Sequence, residues 1–178
     1  MIWIEKIDKL TNQFLQEFSS LNEEELNWKP DPKSWSVAQH LDHLIVINQT
    51  YFPIIAALKA GQYSLPFWGR FRFSVNFFGA AVLNAVKPEQ PKKTKTFPIW
   101  EPASSNISGD ILERFRAHQT ELKNQIVSSE MLLNNGAVIA SPANRMIVYR
   151  LETAFDIIVA HEERHLNHAR AVWSLLGR

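Results

Sequence analysis

His161 and His165 stand four residues apart in the run His161-Glu162-Glu163-Arg164-His165. On a helix, residues i and i+4 share a face and lie about 6 Å apart along the axis, so two imidazoles so placed can grip one metal ion. The run also reads as H-E-x-x-H, a zinc-peptidase signature in which the glutamate activates water. Glu162 holds that position. The rest of the peptidase pattern is missing. The longer form needs Gly and His where this chain has His168 and Ala171, and the form that takes a later glutamate has only 13 residues left after His165. A short expression of this kind matches by chance, and the peptidase reading is set aside.

The elements that must position these side chains are helical. Trp3, Ile4, Ile7, Leu10, Phe14, Phe18 and Leu21 recur at helical spacing and predict a first helix over about residues 3–20. Pro30 and Pro32 forbid its continuation. Ser36 with Gln39 fits a capping box and starts a second helix. Val37, Leu41, Leu44, Asn48, Tyr51 and Ile55 mark its face, with a kink expected at Pro53 and a stop at Gly61. Residues 62–107 form a long connection, with an extra helix expected near Trp68–Val86 and extended chain around Pro88, Pro91, Pro98 and Pro102. Lys92, Lys93 and Lys95 read as a solvated loop. A third helix follows Ser108, carrying Ile111, Leu112, Phe115, Leu122 and Ile126, and residues 137–140 can be extended. A fourth helix runs from Arg145 or Tyr149 to Leu176. Four long amphipathic helices make an all-α four-helix bundle, with a helical and extended insertion between the second and third.

On the fourth helix the apolar stripe Leu151, Ala154, Phe155, Ile158 and then Val172 and Leu176 passes through His161, His165 and His168 or Ala169. The histidines therefore replace core residues. A buried imidazole without a partner costs about 1–3 kcal/mol, and a metal ion is one way to satisfy it. A third ligand should come from the second helix, which holds His40 and His43. Periodicity places His40 nearer the middle of the apolar face. His118 lies inward on the third helix and reads as a core residue or an outer partner of a ligand. Glu162 falls at the rim of the inward face, where it is either a base or an acceptor of N–H groups. Arg164 reads as a surface ion pair or an anion binder, and Trp35 as packing for the start of the second helix. The aromatic set Phe67, Trp68, Phe71, Phe73, Phe77 and Phe78 is core, a lid or a dimer face, and any exposed part of it points to association.

Bulk properties bound the rest. The chain has 178 residues, enough for one domain that buries roughly 70% of its unfolded surface. Apolar residues make up 46%, which argues a packed core. Nineteen basic and 18 acidic side chains give a net charge of +1 and no electrostatic case for nucleic acid. There is no cysteine, hence no disulfide, thiolate metal site or cysteine nucleophile. With no apolar leader before the first charges, a cytoplasmic location is expected. The uncharged stretch Phe73–Val86 has 14 residues, short of the ~18 of a membrane span.

Two motifs carry a resemblance that covers nearly the whole chain. Trp35-Ser36-Val37-Ala38-Gln39-His40-Leu41-Asp42-His43-Leu44 looks like a family's tryptophan-led opening of the second helix, and Ala160-His161-Glu162-Glu163-Arg164-His165-Leu166 looks like its H-x-x-x-H on the last. The chain resembles the DinB/YfiT-like superfamily of metal-dependent four-helix-bundle proteins. The resemblance implies a divalent metal on three histidines, with the first eight residues after the tryptophan. Carried over, these are His43, His161 and His165, in place of the His40 that periodicity favours. Zinc or nickel is the expected ion, with iron or manganese as alternatives. Relatives that transfer thiols imply an S-transferase-like activity, joining a low-molecular-weight thiol to an electrophilic small molecule. A water-activating hydrolase, or a bundle that binds metal or ligand without catalysis, are the other readings.

Overall fold

The structure is a computed structural model and describes residues 1–89, 100–102 and 106–176. Lys92, Lys93 and Lys95, with Pro91 and Pro98, lie outside the described residues. Helix α1 (Ile2–Phe18) puts Ile7, Leu10, Phe14 and Phe18 into the core at the expected spacing. A five-residue helix α2 (Glu23–Asn27), absent from the sequence expectation, follows on a capping box of Asn22 and Glu25. Helix α3 (Val37–Gln49) opens on the Ser36–Gln39 capping box, as expected.

The second predicted helix is broken rather than kinked. After α3 the chain turns at Thr50 and Tyr51 and restarts as α4 (Phe52–Lys59). Proline at 53 has no N–H to give the Gln49 carbonyl, and its ring crowds that carbonyl. The restart places Pro53 in a first turn, where the missing N–H has no acceptor to lose. Gly61 ends this arm at φ +66°, a conformation glycine adopts without strain. By length and composition Val37–Lys59 would qualify as a membrane span, at a mean hydropathy of 1.3. Here its buried face packs on the bundle and carries His40, His43 and Asn48.

The insertion holds a short 3₁₀ turn at Phe67–Arg70 and helix α5 (Arg72–Val86). Gly79 lets α5 approach closely: a Cβ there would stand 3.3 Å from both Tyr149 Cβ and Thr153 Cγ2. Helix α6 (Ile111–Val127) and the short α7 (Glu130–Asn134) lead to strand β1 (Val138–Ala140). Strand β2 (Val148–Arg150) pairs antiparallel with it, Ile139 opposite Tyr149. The last helix, α8 (Leu151–Ser174), therefore starts later than predicted, because Val148–Arg150 are held by the strand ladder instead.

The fold is the predicted all-α four-helix bundle. Helices α1 and α3 each pack on both α6 and α8, so the helices run α1–α6–α3–α8 around the bundle. Phe14 meets Phe115 edge to face at 4.9 Å between ring centroids, and Trp3 meets Phe155 at 5.5 Å. Helix α5 lies outside this ring, against α8 and β2.

Candidate metal centre

The α3–α8 contact is where the histidines meet. Five of the six histidines form one cluster around His165. His165 faces His161 through Nε2, at 3.0 Å from His161 Nε2. Its other nitrogen, Nδ1, lies 2.9 Å from His40 Nδ1. His43 is 4.6 Å from His165 between ring centroids. His43 Nδ1 lies 2.7 Å from the Trp100 carbonyl oxygen. A carbonyl only accepts, so Nδ1 of His43 carries the proton and Nε2 keeps its lone pair. A carbonyl-held ring proton of this kind fixes a metal-binding imidazole in its tautomer and orientation.

Among the described residues, two groups of three can hold an ion with all donor atoms within 4.8 Å: His43, His161 and His165, and His40, His165 and His168. The donor chemistry fits a divalent cation. Bonds of about 2.0–2.1 Å at a tetrahedral angle separate ligand nitrogens by about 3.3 Å, close to the His161–His165 spacing. The imidazoles of His40, His43, His161 and His165 are also held neutral, the form that ligates. Burial pushes His165 well below the usual histidine range, and the neighbouring His161, His40 and His43 push it further. Burial does the same to His161, helped by His43 and Arg164. His40 is lowered to about 3, by burial first and then by His168 and His43. His43 is lowered by burial, against the opposing pull of the Trp100 carbonyl.

Trp35 walls this cluster. Its ring lies 4.9 Å from His43 and 5.5 Å from His40, and stacks on His165 at 6.0 Å. It does pack the start of α3, as expected, but it packs there against the histidines. Trp100 had no signal in the sequence, because a backbone carbonyl has none; it comes from the end of the long connection.

Glu162 is the acceptor of N–H groups that the sequence allowed, but it lies inside the bundle rather than at its rim. It is 0% exposed, and both carboxylate oxygens are taken. Asn48 Nδ2 donates to Oε1 at 2.8 Å, and Gln119 Nε2 donates to Oε2 at 2.9 Å. Gln119 Nε2 also donates to Thr11 Oγ1 at 3.3 Å, and Thr11 donates to the Ile7 carbonyl at 2.7 Å. Thr11, Asn48, Gln119 and Glu162 come from α1, α3, α6 and α8, one polar residue from each helix. Arg164 likewise does not lie at the surface. It is buried and donates to the Ala85 carbonyl at 2.8 Å, tying α8 to the last turn of α5.

His118, the sixth histidine, stays away from the cluster. It is 4% exposed and stacks on Phe52 at 5.7 Å. Neither ring nitrogen has a hydrogen-bond partner among the described residues. Burial lowers its pKa to about 4 from 6.5. Between these values the unfolded chain binds a proton that the folded chain refuses, so stability falls as pH falls through that window. His118→Phe keeps the stack and removes the orphaned nitrogens. The expected outcome in urea unfolding is a gain of about 1–3 kcal/mol at pH 7, with the gap to the parent widening by up to about 3 kcal/mol towards pH 4. A parent that keeps pace with the variant across this range would contradict the assignment.

A four-helix bundle with a largely buried histidine cluster between two of its helices belongs to the class of bundle proteins able to hold a divalent metal in the core. A family model described as the DinB superfamily matches residues 6–169, and the chain belongs to that superfamily. No curated protein and no solved structure matches it.

Proposed function

We propose that the protein is a metal-dependent enzyme that binds one divalent ion through His43, His161 and His165 and joins a low-molecular-weight thiol to an electrophile. The observation that carries the reading is the way the ring nitrogens are spoken for. His43 spends Nδ1 on the Trp100 carbonyl, and His161 and His165 turn Nε2 towards each other. His40 then serves as the outer partner of His165 Nδ1.

His43, His161 and His165 would hold a divalent ion whose Lewis acidity would then be available to a substrate. Zinc or nickel suits the donors best, and iron or manganese is compatible. Trp35 shields the cluster and supplies an aromatic wall. The thiol reading is preferred over a hydrolase because the obvious base is committed elsewhere: both oxygens of Glu162 are bonded to amides. A thiol, with an ordinary pKa near 8.5, needs less help from a protein base than water does.

The test takes protein reconstituted with zinc, nickel, iron or manganese. Glutathione, cysteine and coenzyme A are each offered with 1-chloro-2,4-dinitrobenzene. Conjugate should form with metal, stop on chelation and be lost in His43→Ala. Stoichiometric metal with no thiol conjugation rejects the transferase. Metal-dependent cleavage of p-nitrophenyl acetate in that case selects the hydrolase, and inertness selects a binding role.

A further inference from the structure

Helix α5 carries a second apolar face that the bundle does not use. Its inner face, Val75 and Gly79 with Val82 and Val86, packs towards the body of the fold. On the opposite side Phe73 is 80% exposed and Phe77 58% exposed. Phe67 and Phe71, just before the helix, are 64% and 50% exposed and meet edge to face at 5.1 Å. A helix that is apolar on both faces expects cover on both. So many exposed phenylalanines in eleven residues exceed the scattered apolar side chains of an ordinary surface.

The composition around this face is that of a protein interface. Residues 60–86 contain no Asp, Glu or Lys, and their only charges are Arg70 and Arg72. Aromatic residues and arginine are enriched at interface cores, while Lys, Glu and Asp are depleted there.

The order of the exposed residues names the partner. Phe73, Phe77, Ala80 and Asn84 are all exposed and follow the four-three-four spacing of a helix–helix seam. The large side chains stand in the first half and the small ones in the second. Lay a second copy antiparallel, and Phe73 falls opposite Asn84 and Phe77 opposite Ala80, twice over by symmetry. Large side chains then meet small ones at every step. Such a self-complementary face is what a two-fold dimer requires. Charge agrees. Helix α5 begins at Arg72, with no acidic residue in its first turn and no side-chain cap. A cation there opposes the helix's own dipole, whereas an antiparallel mate brings it beside carbonyls at a C-terminus.

We infer that the protein forms a two-fold homodimer through antiparallel pairing of α5, with Phe73 and Phe77 of each copy packed over Asn84 and Ala80 of the other. This inference is independent of the metal site. Light scattering over a dilution series should give twice the 20.5 kDa chain mass. Phe73→Glu with Phe77→Glu should halve that mass while the circular dichroism and thermal transition of the bundle persist. The chain has no cysteine, so designed ones report cleanly. Phe77→Cys with Ala80→Cys should give a covalent dimer on mild oxidation, and Lys87→Cys alone should not. A parent that stays monomeric at every concentration overturns the inference. So does a covalent dimer from Lys87→Cys alone, which means parallel helices. Monomers that sediment with phosphatidylserine vesicles through these phenylalanines would assign the face to a lipid surface instead.

Discussion

His165→Ala is expected to strip the protein of its divalent ion, while His168→Ala leaves it in place. His165 is the one residue common to both histidine groups. Its two nitrogens point to different partners, Nε2 to His161 and Nδ1 to His40. Its loss disables either arrangement, so it tests for a site of any kind. The remaining histidines then decide which arrangement is used. With the ion on His43, His161 and His165, removing His43 or His161 abolishes binding. Removing His40 takes away only the outer partner of His165, and such losses weaken metal affinity by roughly 10–100-fold. Metal content by plasma mass spectrometry and affinity by calorimetry give the ranking. Retention of metal in His161→Ala, together with its loss in His168→Ala, would move the ion to the other group.

Glu162→Leu is expected to be the most damaging substitution in the core. It takes the acceptor from the buried Asn48 amide and leaves Gln119 only the longer bond to Thr11, at about 1–3 kcal/mol for each bond lost. The total of roughly 2–6 kcal/mol is a large part of the 5–15 kcal/mol that holds a typical domain. Replacing Asn48, Gln119 and Glu162 together by leucine should recover much of the loss, because no orphaned group then remains. The pH dependence gives a second handle. Burial raises Glu162 from 4.5 to about 7, against the pull of the Gln119 and Asn48 hydrogen bonds. Between these values the folded chain keeps a proton that the unfolded chain has released. The Glu162 contribution therefore falls as pH rises through the window, by up to about 3 kcal/mol. Its sign is opposite to that of His118, so comparing Glu162→Gln with His118→Phe separates the two. Denaturant midpoints from pH 4.5 to 7.5 measure both. A Glu162→Leu variant as stable as its parent would mean that the network carries no weight.

The resemblance implies His43 and periodicity favours His40, and the bundle brings each of them into one of the two three-histidine groups. Both residues reach His165: His40 brings Nδ1 to 2.9 Å from its Nδ1, and the His43 ring lies 4.6 Å away between centroids. A helical wheel assumes that one stripe faces the core. In a bundle each helix faces two neighbours, and residues at the edge of the stripe lie between them. Glu162 illustrates the same point from the other side. Its helical angle places it at the rim of the inward face, yet it is fully enclosed and Gln119 reaches it from α6.

Sequence by itself determined what is local. The 3.6-residue repeat placed the apolar faces of α1, α3, α6 and α8. The Ser36–Gln39 capping box set the start of α3, and the four-residue spacing put His161 and His165 on one face. These depend on backbone geometry within a single helix. Tertiary structure alone decided the rest. The Trp100 carbonyl on His43 comes from a residue 57 positions away. The amides on Glu162 come from two other helices, and the strand pair Val138–Ala140 with Val148–Arg150 took the first turn that α8 was expected to own. The His43 and Glu162 contacts each satisfy a buried polar group with a partner distant in sequence. The chain shows that a group needs a partner, but only the packed bundle shows which partner is within reach.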